Sequence, residues 1–144
     1  MADTFAFEIV TPAASMLSLQ AELVIIPGEA GNFGVLPGHA PLLSTLRPGT
    51  IEVRDKSLKV LDQIFVEGGF AEVTPERCTI LAEEATPVKN ITREEAEERL
   101  KRAHDALMVS QNLGVRVTAE RDVRAAEAMV EAVETYEKAS IRGH

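Results

Sequence analysis

The sequence predicts a protein of mainly β structure with a smaller α part. An antiparallel β-sandwich of eight to ten short strands is expected over residues 1–86, and a hairpin of two antiparallel helices over residues 87–144. Two observations predict this division. Residues 4–85 are short runs of alternating apolar and polar residues, separated by turn-forming residues. After Thr86-Pro87 the apolar residues recur every three or four positions, which indicates helices.

The strands are indicated by apolar residues at every second position, which would bury one face of each strand. The alternation is clearest in three segments, which contain Phe5, Phe7 and Ile9; Ile51 and Val53; and Ile64 and Val66. After the interruption at Gly68-Gly69, the apolar residues resume with Phe70 and Val73. The segments are short and closely spaced, and no helical pattern lies among them. This arrangement is typical of a sandwich or a flattened barrel.

The segment from Ile26 to Pro48 is rich in glycine and proline. Glycine permits backbone angles that other residues avoid, and proline fixes φ, so the segment must turn sharply several times. A phosphate-binding loop would continue with Lys-Ser or Lys-Thr, whereas Gly38 is followed by His39. The segment also lacks a paired nucleophile and base. We therefore expect a docking surface of fixed shape here and no active site.

The two helices are predicted from their capping residues and apolar faces. Thr92 and Glu95 form a capping box at the start of the first helix, which should end near Ser110. The second helix is predicted to begin after Thr118 as its N-cap residue. The apolar faces consist of Ala96, Leu100, Ala103 and Leu107 in the first helix, and of Ala119, Val123, Ala126, Val130 and Val133 in the second.

Composition excludes several classes of function. The net charge is −8, and residues 1–86 carry 12 acidic and 5 basic residues, which argues against nucleic acid as a partner. Cys78 is the only cysteine, so neither an internal disulfide nor a zinc knuckle is expected, and it should be a small core residue. No signal peptide is visible, and no apolar run exceeds four residues. We expect a cytoplasmic chain that reaches a membrane only through partners.

Two further groups of residues have side chains that could take part in catalysis. His39 is the only histidine of the predicted sandwich; it is either a turn residue whose ring bonds to nearby backbone or a contact residue beside the docking loop. Glu83 and Glu84 are adjacent on a predicted strand and would point to opposite faces, so they do not form an acid–base pair. The residues therefore indicate no catalytic centre and no metal site.

Three motifs together resemble the epsilon subunit of F-type ATP synthases, whose mitochondrial counterpart is called delta. They are GNFGVLPGHAPLL at 31–43, Arg-Pro-Gly at 47–49 and VEGGFAEV at 66–73. The resemblance covers nearly the whole chain. It implies a non-catalytic rotor subunit of the central stalk, which links the gamma subunit to the proteolipid ring and couples proton flow to ATP synthesis. Such a subunit is peripheral and lies on the cytoplasmic face of the bacterial inner membrane.

The resemblance also implies contact residues. It places Ala30, Gly31, Asn32 and Phe33 against the proteolipid ring, with Phe33 as the large apolar group, and His39 near the junction of gamma and the ring. The helical hairpin would reach the catalytic beta and alpha subunits and brake ATP hydrolysis weakly.

In some members of this family, the first helix begins with Ile/Leu-Asp-x-x-Arg-Ala and helps to bind ATP. Here Thr92 and Glu95 stand in place of the acid and the arginine, so we expect no cofactor and little or no ATP binding. The alternative function is a stand-alone sandwich that binds a ligand, or a hydrolase that uses His39. Co-purification with gamma would separate the two hypotheses.

Overall fold

The computed structural model describes residues 3–142. The described part contains ten strands, one short 3-10 helix at Val88–Asn90 and two α-helices. The elements are β1 (Phe5–Val10), β2 (Ser15–Ala21), β3 (Leu23–Gly28), β4 (Gly31–Val35), β5 (Leu42–Thr45), β6 (Gly49–Arg54), β7 (Val60–Glu67), β8 (Phe70–Val73), β9 (Arg77–Leu81), β10 (Glu84–Pro87), α1 (Arg93–Met108) and α2 (Leu113–Arg142). The predicted fold class, a sandwich followed by two helices, is confirmed. The chain divides into two compact units, one ending at Pro87 and one starting at Val88.

The strands form two sheets of five. The first sheet has the order β2-β1-β9-β8-β5, and the second has the order β10-β7-β6-β3-β4. All neighbouring strands are antiparallel except β1 and β9, which run parallel with Phe7 opposite Cys78. The sequence predicted antiparallel pairing throughout. Alternation shows which residues are buried but gives no information on strand direction, and β9 reaches β1 only after the chain has passed through the second sheet.

The core lies between the two sheets and is mainly aliphatic. Phe7 and Ile9 of the first sheet and Ile51 of the second are fully buried in it, as their alternation predicts, and so is Ile26 of the second sheet. Cys78 is buried in the same cluster, and this burial raises the pKa of its thiol to about 12. The prediction that Cys78 is a small core residue is confirmed.

Gly68 and Gly69 carry the chain from β7 in the second sheet to β8 in the first. Their φ angles are +67° and +97°, in the region that favours glycine. A Cβ atom on Gly69 would lie 1.8 Å from the carbonyl oxygen of Leu81. The Gly69 carbonyl also accepts a hydrogen bond from the Leu46 amide at 3.0 Å. Both the backbone angle and the close approach therefore require glycine at position 69.

The first helix begins as predicted. The Thr92 hydroxyl accepts a hydrogen bond from the Glu95 amide at 3.1 Å, and the Glu95 carboxylate reaches back to the Thr92 amide. The apolar face of α1 packs against α2 around Ala103 and the buried Val123 and Ala126 of α2. The ends of the hairpin show that the helices are antiparallel, because Arg93 at the start of α1 bonds to Glu137 near the end of α2.

The predicted start of the second helix is wrong. The helix α2 begins at Leu113 and not after Thr118, and it spans 30 residues. The side-chain oxygen of Asn112 accepts a hydrogen bond from the Val115 amide at 2.9 Å, so Asn112 caps the helix. Thr118 lies inside the helix, where its hydroxyl donates to the Gly114 carbonyl. No helix within residues 3–142 combines the length and the apolar character that a membrane span requires.

Candidate partner-docking site

The predicted docking residues lie mainly at one turn. Strands β3 and β4 form a hairpin at the edge of the second sheet, and its last pair is Gly28 opposite Gly31. Glu29 and Ala30 make the two-residue turn, and both are exposed. We call residues 28–32 the docking tip. Four of its five residues are exposed, which leaves small and polar groups available to a partner.

The two glycines of the docking tip have different roles. A Cβ atom on Gly28 would lie 2.9 Å from the Gly31 carbonyl oxygen and 3.0 Å from the ring of Phe33. Gly31 has a φ of +137° and open space around it, so its role is conformational. Neither Glu29 nor Ala30 has a positive φ. The turn is therefore not one of the primed types, which match the natural twist of a hairpin.

The docking tip is held from the side by the segment that follows β5. The Thr45 carbonyl accepts a hydrogen bond from the Glu29 amide at 3.0 Å, and the Arg47 amide donates to the Pro27 carbonyl at 3.1 Å. The Arg47 guanidinium donates at 2.7 Å to the Gly28 carbonyl and at 2.5 Å to the side-chain oxygen of Asn32. The sequence singled out Arg47 only as part of a motif and gave it no structural role.

Asn32 and Phe33 differ in how much of each side chain is exposed to solvent. Asn32 is exposed, and its amide oxygen is engaged by Arg47, so its NH₂ group is the part that remains available for a contact. Phe33 is only partly exposed and packs against the core of the sandwich. Phe33 thus stabilises the fold, in addition to the apolar contact that the sequence proposed for it.

His39 lies in a separate turn. The His39 amide donates to the Leu36 carbonyl at 3.1 Å, and Gly38 has a φ of +83°, as the third residue of a type II turn requires. The Gly38 amide in turn donates to the Pro75 carbonyl at 2.8 Å. The Nδ1 atom of the His39 ring lies 2.7 Å from the Ala40 carbonyl oxygen. The ring therefore bonds to nearby backbone, as one interpretation expects, and the role of His39 as a contact residue stays a prediction.

His39 and the docking tip are not brought together. The tip precedes β4 and the turn with His39 follows it, so they lie at opposite ends of a strand about 13 Å long. Strand β8 of the first sheet shows the same separation. Its end near Pro75 lies next to the turn with His39, and its other end, at Phe70, lies next to Thr45 and the docking tip. The sandwich therefore has two separate candidate contact regions at its two ends.

A third candidate region lies on the outer face of the first sheet. Phe70 pairs with Leu81, and Leu81 pairs with Val10, so the three side chains form one row across β8, β9 and β1. Phe70 is 47% exposed and Leu81 40%. We call these three residues the outer apolar row. This row was not predicted from the sequence. The spacing within β8 indicates it, because residues 70 and 73 are three positions apart, so the burial of Val73 places Phe70 on the opposite face of the sheet.

The outer apolar row has an apolar and an acidic neighbour. Leu43 on the edge strand β5 is 71% exposed and pairs with Glu72, one row away from Phe70. Glu72 is exposed beside it. An exposed aromatic and aliphatic patch with an acidic border is typical of a protein interface and unusual for free surface.

The window that some family members use for ATP is occupied by internal contacts. Arg93 lies 3.0 Å from Glu137, 3.6 Å from Glu134 and 3.5 Å from Glu97, and these contacts raise its pKa, the hydrogen bond to Glu137 most of all. Thr92 and Glu95 satisfy each other in the capping box. Within residues 3–142, no group of three His, Cys, Asp or Glu side chains is arranged to hold a metal ion.

The fold and these surfaces define a two-part protein: a β-sandwich with exposed contact regions, followed by a helical hairpin. Residues 4–88 match the family described as ATP synthase, Delta/Epsilon chain, beta-sandwich domain, and the chain belongs to this family. The resemblance inferred from the motifs is confirmed. The ATP synthase epsilon chain of Paramagnetospirillum magneticum is 46% identical over 133 residues, which cover 92% of this chain and 99% of the relative. That of Granulibacter bethesdensis is 46% identical over 134 residues, which cover 92% and 98%.

Solved structures give the same result. A chain in the mitochondrial ATP synthase of Euglena gracilis, solved as OSCP/F1/c-ring, superposes with a TM-score of 0.80 at 26% identity, covering 92% of this chain and 83% of that one. A chain from the central stalk and c-ring of the Tetrahymena thermophila enzyme superposes with a TM-score of 0.68 at 13% identity, covering 90% and 96%. The second likeness concerns the fold alone.

Proposed function

We propose that this chain is a non-catalytic subunit of the rotor of F-type ATP synthase, which links the gamma subunit to the proteolipid ring. The observation that carries the proposal is the presence of two kinds of exposed surface on one sandwich: the docking tip and the outer apolar row. A subunit that transmits rotation between two partners needs a separate surface for each. The similar chain of Euglena gracilis belongs to an assembly that contains a c-ring, which agrees with this role.

We assign the outer apolar row to gamma. A permanent interface is more apolar than ordinary surface, and Phe70 with Leu81 and Leu43 supplies large apolar groups on an open sheet face. The residues of the sandwich have an excess of acids, and Glu72 borders the row. The matching surface of gamma should therefore be apolar at its centre and basic at its edge.

We assign the docking tip to the proteolipid ring. Ala30, Gly31 and Asn32 offer a narrow, exposed turn with small and polar groups, which suits contact with exposed loops of a ring. His39 lies at the opposite end of β4 from the tip, and we place it at the edge of the gamma interface. The chain then meets the membrane through its partners, at the cytoplasmic face of the inner membrane.

The helical hairpin has a regulatory role in this proposal. The window around Thr92 is filled by its own capping box and by the ion pairs of Arg93, so the hairpin should bind ATP weakly or not at all. Its contact with the catalytic subunits should brake hydrolysis only modestly, because acids and bases are mixed along α2. The alternative of a ligand-binding or hydrolytic sandwich gains no support from His39, whose Nδ1 is engaged with backbone.

Binding to gamma tests the proposal. Phe70→Glu places a charge in the outer apolar row, and we expect it to abolish co-purification of the full chain with gamma. Leu61→Glu is the matched control, because Leu61 is 57% exposed on β7 of the other sheet. It should bind gamma like the wild-type chain. Failure of the wild-type chain to bind gamma, or equal binding by both variants, would contradict the assignment.

A further inference from the structure

The docking tip is supported from outside its own hairpin. Neither Glu29 nor Ala30 has the positive φ of a primed turn, and the positive φ falls instead on Gly31, directly after the turn. The hairpin also lies at the free edge of the second sheet, where β4 has only β3 as a neighbour. Its shape is therefore not fixed by its own hydrogen bonds alone.

The support comes from residues 45–47. This segment binds the docking tip at three levels: through the Glu29 amide at its end, the Gly28 carbonyl on one strand and the Asn32 side chain on the other. Arg47 makes the last two contacts with a single guanidinium group, so it spans both strands. A planar guanidinium with two parallel donors holds two acceptors at a fixed spacing, which a lysine cannot do.

Arg47 is itself well anchored. Its amide donates to the Pro27 carbonyl, and the preceding residue Leu46 is buried and forms a β-bridge with Gly28. Leu46 also donates its amide to Gly69 at the crossover between the sheets. The segment continues directly from β5, the edge strand of the first sheet, which carries Leu43 beside the outer apolar row. The docking tip on one sheet is thus tied to the edge of the other sheet.

We propose that Arg47 is the positioning residue of the docking tip: it sets the tip in its binding shape before the partner arrives and links it to the sheet that carries the outer apolar row. The positioning of the tip by Arg47 is inferred from the geometry alone, whereas its effect on partner binding also rests on the proposed function. A contact loop that is ordered in advance loses less conformational entropy on binding. The amide oxygen of Asn32 would then serve to bind Arg47, and only its NH₂ group would face the partner.

The first measurement uses the isolated full chain. Amide hydrogen exchange of Glu29, whose amide donates to the Thr45 carbonyl, should be faster in Arg47→Gln, on the order of tenfold, because hydrogen bonds from a charged donor are lost. Arg54→Gln is the matched control, since Arg54 contacts Glu52 elsewhere on the second sheet. It should leave the exchange of the Glu29 amide unchanged. Asn32→Ala removes one acceptor only and should give a smaller increase. Unchanged exchange in Arg47→Gln would overturn the positioning role.

The second measurement uses rotor complexes of gamma and the proteolipid ring prepared without this subunit. Arg47→Gln should dissociate from them several-fold faster than the wild-type chain, Arg47→Lys should lie between the two, and Arg54→Gln should match the wild type. If exchange rises but dissociation is unchanged, the link between tip order and docking is wrong. If the wild-type chain itself does not bind the rotor, the proposed function fails, while the exchange result still decides the role of Arg47.

Discussion

Alanine at Gly69 should destabilise the sandwich far more than alanine at another glycine of similar backbone angle. Gly69 has a φ of +97° and Gly38 a φ of +83°, so the strain of placing alanine in this region is comparable at the two positions. The surroundings differ. A Cβ atom at position 38 meets nothing within 4 Å, whereas at position 69 it would lie 1.8 Å from the Leu81 carbonyl oxygen.

The comparison isolates the cost of that contact. Alanine restricts the unfolded chain equally in both variants, so this effect cancels in the difference. Gly38→Ala should lower the free energy of unfolding by about 1–2 kcal/mol, from backbone strain alone. At position 69, β8 and β9 must also move apart and the hydrogen bond from Leu46 is disturbed. We expect a loss of about 4 kcal/mol or more, a large part of the stability of a domain of this size.

Urea unfolding of the full chain, followed through the β signal in circular dichroism, measures both variants under the same conditions. Gly69→Ala should unfold at a much lower urea concentration than Gly38→Ala or fail to fold. Equal midpoints for the two variants would refute the reasoning, because the crossover between the sheets would then tolerate a side chain.

Three further predictions follow from the packing. Phe33→Ala should lower the free energy of unfolding by about 2 kcal/mol in urea titrations, less than for a fully buried phenylalanine because Phe33 is only partly buried; no change would show that its ring does not pack on the core. Asn112→Ala should reduce the thermal stability of the hairpin, by about 1 kcal/mol, whereas Thr118→Ala should be nearly neutral; the reverse order would return the helix start to Thr118. Cys78 should resist thiol reagents at pH 8 until the chain unfolds. Because burial raises its pKa from 9.0 to about 12, its contribution to stability is present below pH 9 and is lost as the pH rises from 9 toward 12; rapid labelling of the folded chain would contradict this.

The features that the sequence predicts correctly are those set by neighbouring residues. Alternation identifies the buried positions of β1 and β6, since Phe7 and Ile51 are fully buried. The capping box at Thr92 needs only residues three apart, and it is present in the structure. The glycine pair at 68–69 also indicates a break between strands, and the cause is again local because both residues have a positive φ.

The features that the sequence could not give depend on distant parts of the chain. The parallel pairing of β1 with β9 joins strands about seventy residues apart, and alternation is the same for either direction. The role of Arg47 arises because residues 45–47 cross to a hairpin that lies some fifteen residues earlier in the chain. The error at the second helix has another origin. Asn112 and Thr118 are both good N-cap residues, and the glycine at 114 indicates a turn, which favours the later residue as the start of the helix.

The most direct test of the rotor proposal is site-specific cross-linking in the assembled ATP synthase. Cysteine is introduced at Ala30 in the docking tip or at Phe70 in the outer apolar row, each carrying a photoreactive group; Cys78 is buried and can stay in place. The proposal predicts that position 30 cross-links to the proteolipid ring and position 70 to gamma. Cross-linking of both positions to one subunit, or to the catalytic subunits alone, would contradict it.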